Sequence, residues 1–326
     1  MKVKTLPEDF IVKEKYTLPE FKEKAGQSYV LIKKNGISFH KAIYLISTFF
    51  SISEKQIGYA GIKDKQAITE QVISLKGIRK EHIAQFSSKE LNLTFLGYAK
   101  EPVVLGSHLG NTFIITVRDI NQEPEEKKNY VNYFGEQRFS TNNKEIGKYL
   151  VLKKYKEALQ LMLETKIDLK KRIAKYLEEK PNDHLTAIRM LPMRFLSLYI
   201  HAYQSYIWNK TVMLYLKKMK NEIKNKTIQI IGFGYDHKDK EVDDIIQNIL
   251  KEEKITERDF VNRQFSGLTS EGTERNLYMD IHKLSVGSLS KDELHPGKKK
   301  VVVTFFLGKG SYATEVIKQL FNQKLF

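Results

Sequence analysis

The chain has 326 residues and a formal net charge of +16, with 55 Lys and Arg against 39 Asp and Glu. This length exceeds the usual size of a single core, so we expect two domains, or one domain with a large insertion. The absence of cysteine excludes disulfides, iron–sulfur clusters, Cys-ligated zinc and a thiolate nucleophile. Because we find neither a signal-type apolar region nor an apolar stretch of membrane-spanning length, we expect a cytoplasmic protein outside the membrane.

The first part of the chain has the patterns of strands and one helix. Residues 29–32 form an apolar strand that ends at the Asn35-Gly36 turn, and residues 40–50 carry apolar side chains at helical spacing. Further strands are predicted at 72–75, 93–96 and 111–118. Residues 7–14 taken alone are typical of a turn that leads into an edge strand.

The pattern becomes helical after Asn143. Helices are predicted at 145–165, 170–179, 187–220 and 241–251, and Pro192 is expected in the first turn of the long third helix. Residues 195–208 leave this helix almost no polar face, which favours a buried core helix over an aromatic platform that stacks bases. Strands return at 277–282 and 301–307. We therefore predict an α+β protein in which a sheet domain, 1–153 and 274–326, is interrupted by a helical domain, 154–273.

The run from residue 58 to residue 71 reads GYAGIKDKQAITEQ and is the most informative feature of the chain. It places Asp64 between Lys63 and Lys65, behind a glycine turn. A carboxylate flanked by ammonium groups stays ionised, and it can act as a nucleophile or a base where an anionic substrate arrives. Basic charge spread along the chain favours such a polyanionic partner, although a lysine-rich surface alone gives the same composition.

Two further segments could contact a nucleotide. In the first, Asn132 and Phe134 precede Gly135, so the amide could read a base edge while the ring covers its face; packing at a sheet end explains the same pattern. In the second, residues 308–313 fit the dinucleotide fingerprint G-x-G-x-x-A, which by itself suggests a nucleotide-dependent oxidoreductase. We find no later acidic residue for a ribose, so the second segment is interpreted as a glycine turn that opens a helix capped by Ser311 or Thr314, with Tyr312 projecting.

The histidines show no metal-ligand spacing, and we expect no metal.

Five segments, 7–14, 60–71, 110–113, 132–139 and 310–314, resemble in order the motifs of the TruD family of tRNA pseudouridine synthases. Residues 198–206 are also similar to the domain that this family inserts into its sheet. The resemblance implies a pseudouridine-synthase type of catalytic domain, with a mixed, mostly antiparallel sheet, and a largely helical TruD-type insertion.

The resemblance also implies roles for individual residues. Asp64 stands at the position of the family's catalytic carboxylate, and Lys63 and Lys4 are expected to support its ionised state. Some members of the family have Phe at the position of Tyr312, and a tyrosine there can still stack on a base. Ser140 stands where Gly often follows the Arg138-Phe139 pair in the family, and this difference affects only the local turn.

Four residues stand at positions that in the family lie at the target uridine. Phe10, Asn132 and Tyr312 are expected to contact this nucleoside, and Phe134 is expected to stack beside it. The basic surface of the insertion would hold the tRNA backbone across a cleft between the domains, although exposed lysines are usually no more than a solvated face.

The activity that follows from the resemblance is the isomerisation of a tRNA uridine to pseudouridine, at the family's usual position 13 in the D-arm region. It requires no cofactor and no metal, its partner is tRNA, and we expect a monomer. Whether Asp64 acts as a nucleophile or as a base stays open. The alternative function is that of a non-catalytic RNA-binding or tRNA-folding protein on the same scaffold.

Overall fold

The structure, a computed structural model, describes residues 1–140, 142–164, 169–219 and 224–324. These residues pack into two compact units, one formed by Met1–Lys127 with Asp280–Gln323 and the other mainly by Lys128–Met279. Strands dominate the first unit and helices the second, so the predicted α+β class is confirmed. The domain boundaries at residues 153 and 274 stay a prediction; residues 128–153 pack with the second unit because the helix within them lies against the long central helix of that unit.

The first unit is built on one mixed sheet. Its strands are β1 (Phe10–Lys15), β2 (Gln27–Asn35), β3 (Ile57–Tyr59), β4 (Ile68–Lys76), β5 (Leu91–Ala99), β6 (Gly110–Ile120), β9 (Ile281–Val286), β10 (Ser290–Lys291) and β11 (Lys299–Gly308). Their order is β10-β11-β6-β1-β4-β2-β5, with β3 paired to β4 and β9 paired to β11. The pair β1–β4 is parallel and the other pairs are antiparallel. Helices α1 (Phe39–Phe50), α2 (Lys80–Ala84) and α9 (Ala313–Leu320) complete the unit.

Strand β1 lies in the middle of the sheet, so its interpretation as an edge strand was wrong. Ile11 is paired with Ile114 of β6 on one side and with Ile68 of β4 on the other. Phe10 and Val12, on the opposite face, are 2% and 3% exposed. The short segment reads as an edge strand because half of its residues are charged, and only pairing on both sides reveals its central position.

The second unit contains six helices and a short hairpin in its described residues. The helices are α3 (Asn143–Val151), α4 (Tyr155–Glu164), α5 (Lys170–Glu179), α6 (His184–Arg189), α7 (Met193–Lys218) and α8 (Lys240–Glu253), and the hairpin is formed by β7 (Thr227–Ile230) and β8 (Thr273–Asn276). Helix α7 contributes buried side chains along its whole length, including Tyr203 and Trp208 at 1% exposure each. Tyr199, Tyr203, Trp208 and Tyr215 therefore belong to the core, as predicted, whereas Phe195 and Leu198 are 40% exposed each and are not enclosed.

Two helices that the sequence predicts as continuous are each divided. The helix predicted at 145–165 breaks after Val151, where Lys153 has a left-handed φ of 59°, and residue 165 lies outside the described residues. The helix predicted at 187–220 is divided into α6 and α7 by Pro192, which is the N-cap of α7 rather than a residue of its first turn. Residue 220 also lies outside the described residues.

The strand predicted at 277–282 was wrong in its bounds. Strand β8 ends at Asn276 and β9 begins at Ile281, and the chain leaves one unit for the other at Met279–Asp280. Leu277 is 0% exposed in the core of the second unit, so its apolar character serves a helical core and not the sheet. No helix among the described residues is both long and apolar enough to cross a membrane.

Candidate active site

Asp64 lies in the loop that joins β3 to β4. Residues 60–67, all of which the structure describes, contain no helix or strand. The Asp64 side chain is 29% exposed, and its Oδ2 accepts a hydrogen bond of 3.1 Å from Lys4 Nζ. The carboxylate is therefore open to a substrate and is also paired with a cation.

Lys4 reaches Asp64 from the N-terminal segment, which is attached to the sheet. Lys2 and Arg118 of β6 exchange two backbone hydrogen bonds of 2.7 and 2.9 Å. Lys4 then adopts a left-handed φ of 60°, and its ammonium group lies 4.2 Å from the centre of the Phe10 ring. The Phe10 ring thus supports Lys4 through a cation–π contact. The same ring packs edge-on against Phe113.

A buried charge cluster fixes the start of β1. Arg118, whose side chain is 5% exposed, donates to both carboxylate oxygens of Asp9 at 2.9 Å and to Asp292 and Glu293 at 3.0 Å. Burial raises the pKa of Asp292, but hydrogen bonds from two backbone N–H groups, from His295 and from Arg118 outweigh this effect and hold the pKa well below its usual value. The cluster ties the residues just before Phe10 to β6 and to the segment that follows β10.

Side chains from the central strands attach to the Asp64 loop. Lys63 forms an ion pair with Glu14 of β1, whose side chain is 0% exposed. Gln71 of β4 donates to the backbone oxygen of Gly61 at 3.0 Å. The ion pair of Lys63 is thus with a strand residue, whereas that of Asp64 is with Lys4.

Lys34 of β2 is the third anchor and contacts Asp64 itself. Its side chain is buried, and its Nζ donates to the backbone oxygens of Asp64 and, at 3.0 Å, of Ile37. Burial lowers the pKa of Lys34 to about 8, although the negative charge of Asp64 opposes this shift. Nearby, burial and the positive charge of Lys63 lower the pKa of His108, so this imidazole is neutral near pH 7.

Tyr312 lies at a turn that is linked to the same loop. It is the N-cap of α9, with no side-chain capping bond, so the predicted caps Ser311 and Thr314 were wrong. Lys309 donates to the backbone oxygen of Gly106 at 2.9 Å, and the N–H of Gly106 donates to Ala60 at 2.8 Å. This chain of contacts connects the turn before Tyr312 to the first residue of the Asp64 loop.

Asn132 and Phe134 lie in the second unit, where Arg275 contacts both of them. Asn132 is 6% exposed, and its side-chain oxygen and backbone oxygen both accept hydrogen bonds of 2.7 Å from Arg275. The guanidinium of Arg275 also lies 4.0 Å from the centre of the Phe134 ring, and the ring of Trp208 packs edge-on against Phe134. Arg275 therefore holds the predicted amide and the predicted ring together.

Comparison with known proteins assigns the chain to a family. The profile of tRNA pseudouridine synthase D (TruD) matches residues 1–172, 162–224 and 215–320. The chain belongs to the TruD family. The predicted family and enzyme class, a tRNA pseudouridine synthase, are thereby confirmed.

Individual TruD relatives match over nearly the whole chain. A probable tRNA pseudouridine synthase D 2 from Methanocaldococcus jannaschii is 32% identical, over 98% of this chain and 92% of the relative. The tRNA pseudouridine synthase D of Aquifex aeolicus is 30% identical, over 98% of each chain. A crystal structure of a putative TruD from Methanosarcina mazei superposes with a TM-score of 0.74 at 25% identity, and covers 98% of this chain and 93% of that one.

The motifs of this TruD chain contain several anchoring residues that sequence reasoning missed. Asp9 and Glu14 belong to the 7–14 segment, but their partners Arg118 and Lys63 are 109 and 49 positions away in the chain. Lys34 was missed because a lysine beside an Asn-Gly turn looks exposed. The signal that points to it is the two-residue period of a strand, which puts Lys34 on the same face as the buried Val30 and Ile32. Among the described residues, no group of three or more His, Asp or Glu could hold a metal ion.

Proposed function

We propose that this protein converts a uridine of tRNA, at position 13 in the D-arm region, to pseudouridine, with Asp64 as the catalytic carboxylate. Family membership supports the substrate and the reaction. The observation that carries the role of Asp64 is its geometry: a partly exposed carboxylate on a loop that the sheet anchors, paired at 3.1 Å with Lys4.

The reaction is an isomerisation whose atoms balance without a donor. The bond between N1 of uracil and C1′ of ribose breaks, the uracil turns while it is held, and C5 forms the new bond to C1′. The proton on C5 leaves, and N1 takes up a proton. Asp64 acts either by adding to the ribose or the base, or by removing a ribose proton. Lys4 holds the carboxylate in place and balances its charge before the uridine arrives.

The target uridine must leave the stacked core of the tRNA to be reached. A base that stacks on an aromatic side chain recovers about 1–3 kcal/mol, and we propose this role for Tyr312. For Asn132 and Phe134 we propose contact with the tRNA, with Arg275 holding both. The contact of Phe10 with the uridine stays a prediction; at 2% exposure, its ring supports Lys4.

The test measures release of tritium from tRNA that carries uridine labelled at C5. We expect Asp64→Asn to lower the rate by about 10²–10⁴-fold or more, as for the loss of a general acid–base group, without a matching loss of tRNA affinity. Glu70→Gln is the matched control, because Glu70 is also a partly exposed carboxylate of the 60–71 motif and is paired with Lys33 at 3.5 Å. Equal release by wild type and Asp64→Asn would refute the catalytic role.

Two further experiments test the target position in the tRNA and the non-catalytic alternative. A transcript with cytidine at position 13 should bind but release no tritium, and continued release would show that another uridine is used. The non-catalytic alternative predicts that wild type and Asp64→Asn bind tRNA equally and that neither releases tritium. The expected monomer stays a prediction, which light scattering of the free protein tests.

A further inference from the structure

Lys34 is a lysine whose side chain has no access to solvent. It is 0% exposed, whereas the side chain of its neighbour Lys33, on the other face of β2, is 56% exposed and pairs with Glu70. Taking an ammonium group out of water is unfavourable, and an apolar residue of similar size would fill the space without this penalty. A lysine at this position therefore requires a reason other than packing.

The contacts of Lys34 supply that reason. Its hydrogen bonds are to two backbone carbonyl groups, those of Ile37 and Asp64. Ile37 belongs to the turn that follows β2, so the ammonium group ties the Asp64 loop to the sheet at a fixed point. Gln71 and Glu14 hold other residues of the loop, Gly61 and Lys63, whereas Lys34 holds the peptide unit of Asp64 itself.

The position of that peptide unit controls the position of the carboxylate. The side chain of Asp64 has only two rotatable bonds, so a displacement of the backbone carbonyl group of Asp64 moves the carboxylate as well. Misplacement of a reacting group by about 1 Å can reduce a rate by about 10²-fold. The ion pair with Lys4 constrains the far end of the same side chain, so both ends of Asp64 are fixed by an ammonium group.

We propose that Lys34 is a positioning residue for the isomerisation: its buried ammonium group holds the backbone carbonyl of Asp64, and through it the reacting carboxylate, without contacting the tRNA. The proposal rests on the proposed function of Asp64. Lys34 is still protonated near pH 7, since its pKa is lowered only to about 8.

The test compares Lys34→Met with two matched variants. Lys33→Met removes the exposed lysine next to it. Ser74→Ala, on the neighbouring strand β4, removes a buried hydrogen bond of 2.9 Å that the N–H of Val103 donates to Ser74 Oγ and in which Asp64 takes no part. For each variant, three quantities are measured: the dissociation constant for tRNA, the single-turnover rate of tritium release with saturating enzyme, and the urea midpoint of unfolding.

We expect Lys34→Met to lower the single-turnover rate by about 10- to 100-fold and to leave the tRNA dissociation constant within about twofold of wild type. Lys33→Met and Ser74→Ala should keep the wild-type rate, even where Ser74→Ala lowers the urea midpoint. A wild-type rate in folded Lys34→Met, or an equal loss of rate in Ser74→Ala, overturns the proposal. If Lys34→Met does not fold, Lys34→Gln replaces it, and failure of both to fold shows that Lys34 serves the fold and overturns the proposal as well.

The failure of this proposal differs from the failure of the proposed function. If wild type releases no tritium, or Asp64→Asn releases it normally, the assignment of Asp64 fails. If Asp64→Asn is inactive and Lys34→Met matches Lys33→Met, only the role of Lys34 fails.

Discussion

Replacing Lys34 with methionine should change how the stability of this protein depends on pH. Methionine has a similar length but no charge, so Lys34→Met removes the buried ammonium group and preserves most of the packing. Burial lowers the pKa of Lys34 from its ordinary value of 10.5 to about 8 in the folded protein, against the opposing charge of Asp64. An unfolded chain exposes the lysine to water and restores the ordinary value.

The sign of the effect follows from proton binding. Between about pH 8 and pH 10.5 the unfolded chain holds a proton on Lys34 that the folded protein lacks. The free energy of unfolding of the wild type therefore rises with pH across this window, relative to that of Lys34→Met. At about 1.4 kcal/mol per pKa unit, the whole rise is about 3 kcal/mol. Below pH 8 this contribution is lost, because the folded protein then carries the buried charge.

The assay is urea unfolding of both proteins at several pH values between about 7 and 10.5, with the difference in unfolding free energy plotted against pH. Other titrating groups occur in both proteins and cancel in this difference. In Lys34→Met the backbone carbonyl groups of Ile37 and Asp64 lose a hydrogen-bond donor. This loss changes the difference in unfolding free energy by the same amount at every pH and leaves its slope unchanged. Lys33→Met, the exposed control, should give a flat difference. A flat difference for Lys34→Met as well would mean that Lys34 has an ordinary pKa in the folded protein, and the reasoning would be refuted.

Three further outcomes can be measured with the same methods. Arg118→Met should lower the free energy of unfolding by about 3–5 kcal/mol, because it leaves buried carboxylates without their cation. Lys2→Met, which changes an exposed lysine, should have little effect, and equal urea midpoints for the two variants would contradict this expectation. Gly147→Ala should lower the free energy of unfolding by about 1–3 kcal/mol, because the new Cβ would lie 2.0 Å from a backbone oxygen of α7. Gly26→Ala is the control and should be tolerated, because its Cβ would meet no described atom within 4 Å. Lys4→Met should lower tritium release by about 10–10²-fold with little change in the urea midpoint, and unchanged release would remove Lys4 from the reaction.

The sequence predicts those elements of the fold whose pattern is set by local burial. Residues 170–179 show the helical period that α5 follows, and residues 301–307 lie within β11, whose apolar run is typical of a strand between two others. The errors occur where tertiary contacts decide. Leu277 is apolar because it enters the core of the second unit, and the central position of β1 depends on pairing with residues more than 50 positions away.

The candidate site shows the same division between local and distant information. Asp64 and Tyr312 could be named from the sequence because each lies in a motif of the family, and Lys4 because the resemblance to the family implies it. Which cation meets the carboxylate could not be read from the chain, since Lys63 and Lys65 are adjacent to Asp64 and Lys4 is 60 positions away. Lys34 was missed for a similar reason, because its burial and its two carbonyl partners depend on how β2 and the Asp64 loop meet.

The anchors of the Asp64 loop come from three strands that are neighbours in the centre of the sheet. Glu14 is on β1, Gln71 on β4 and Lys34 on β2, and the order of these strands is β1-β4-β2. A loop without regular structure cannot hold a carboxylate in a reacting geometry by itself, because its backbone retains conformational freedom that helices and strands have lost. Attachment to central strands of the sheet supplies that precision. It follows that substitutions on the buried faces of these strands can alter the rate of the reaction without touching the tRNA.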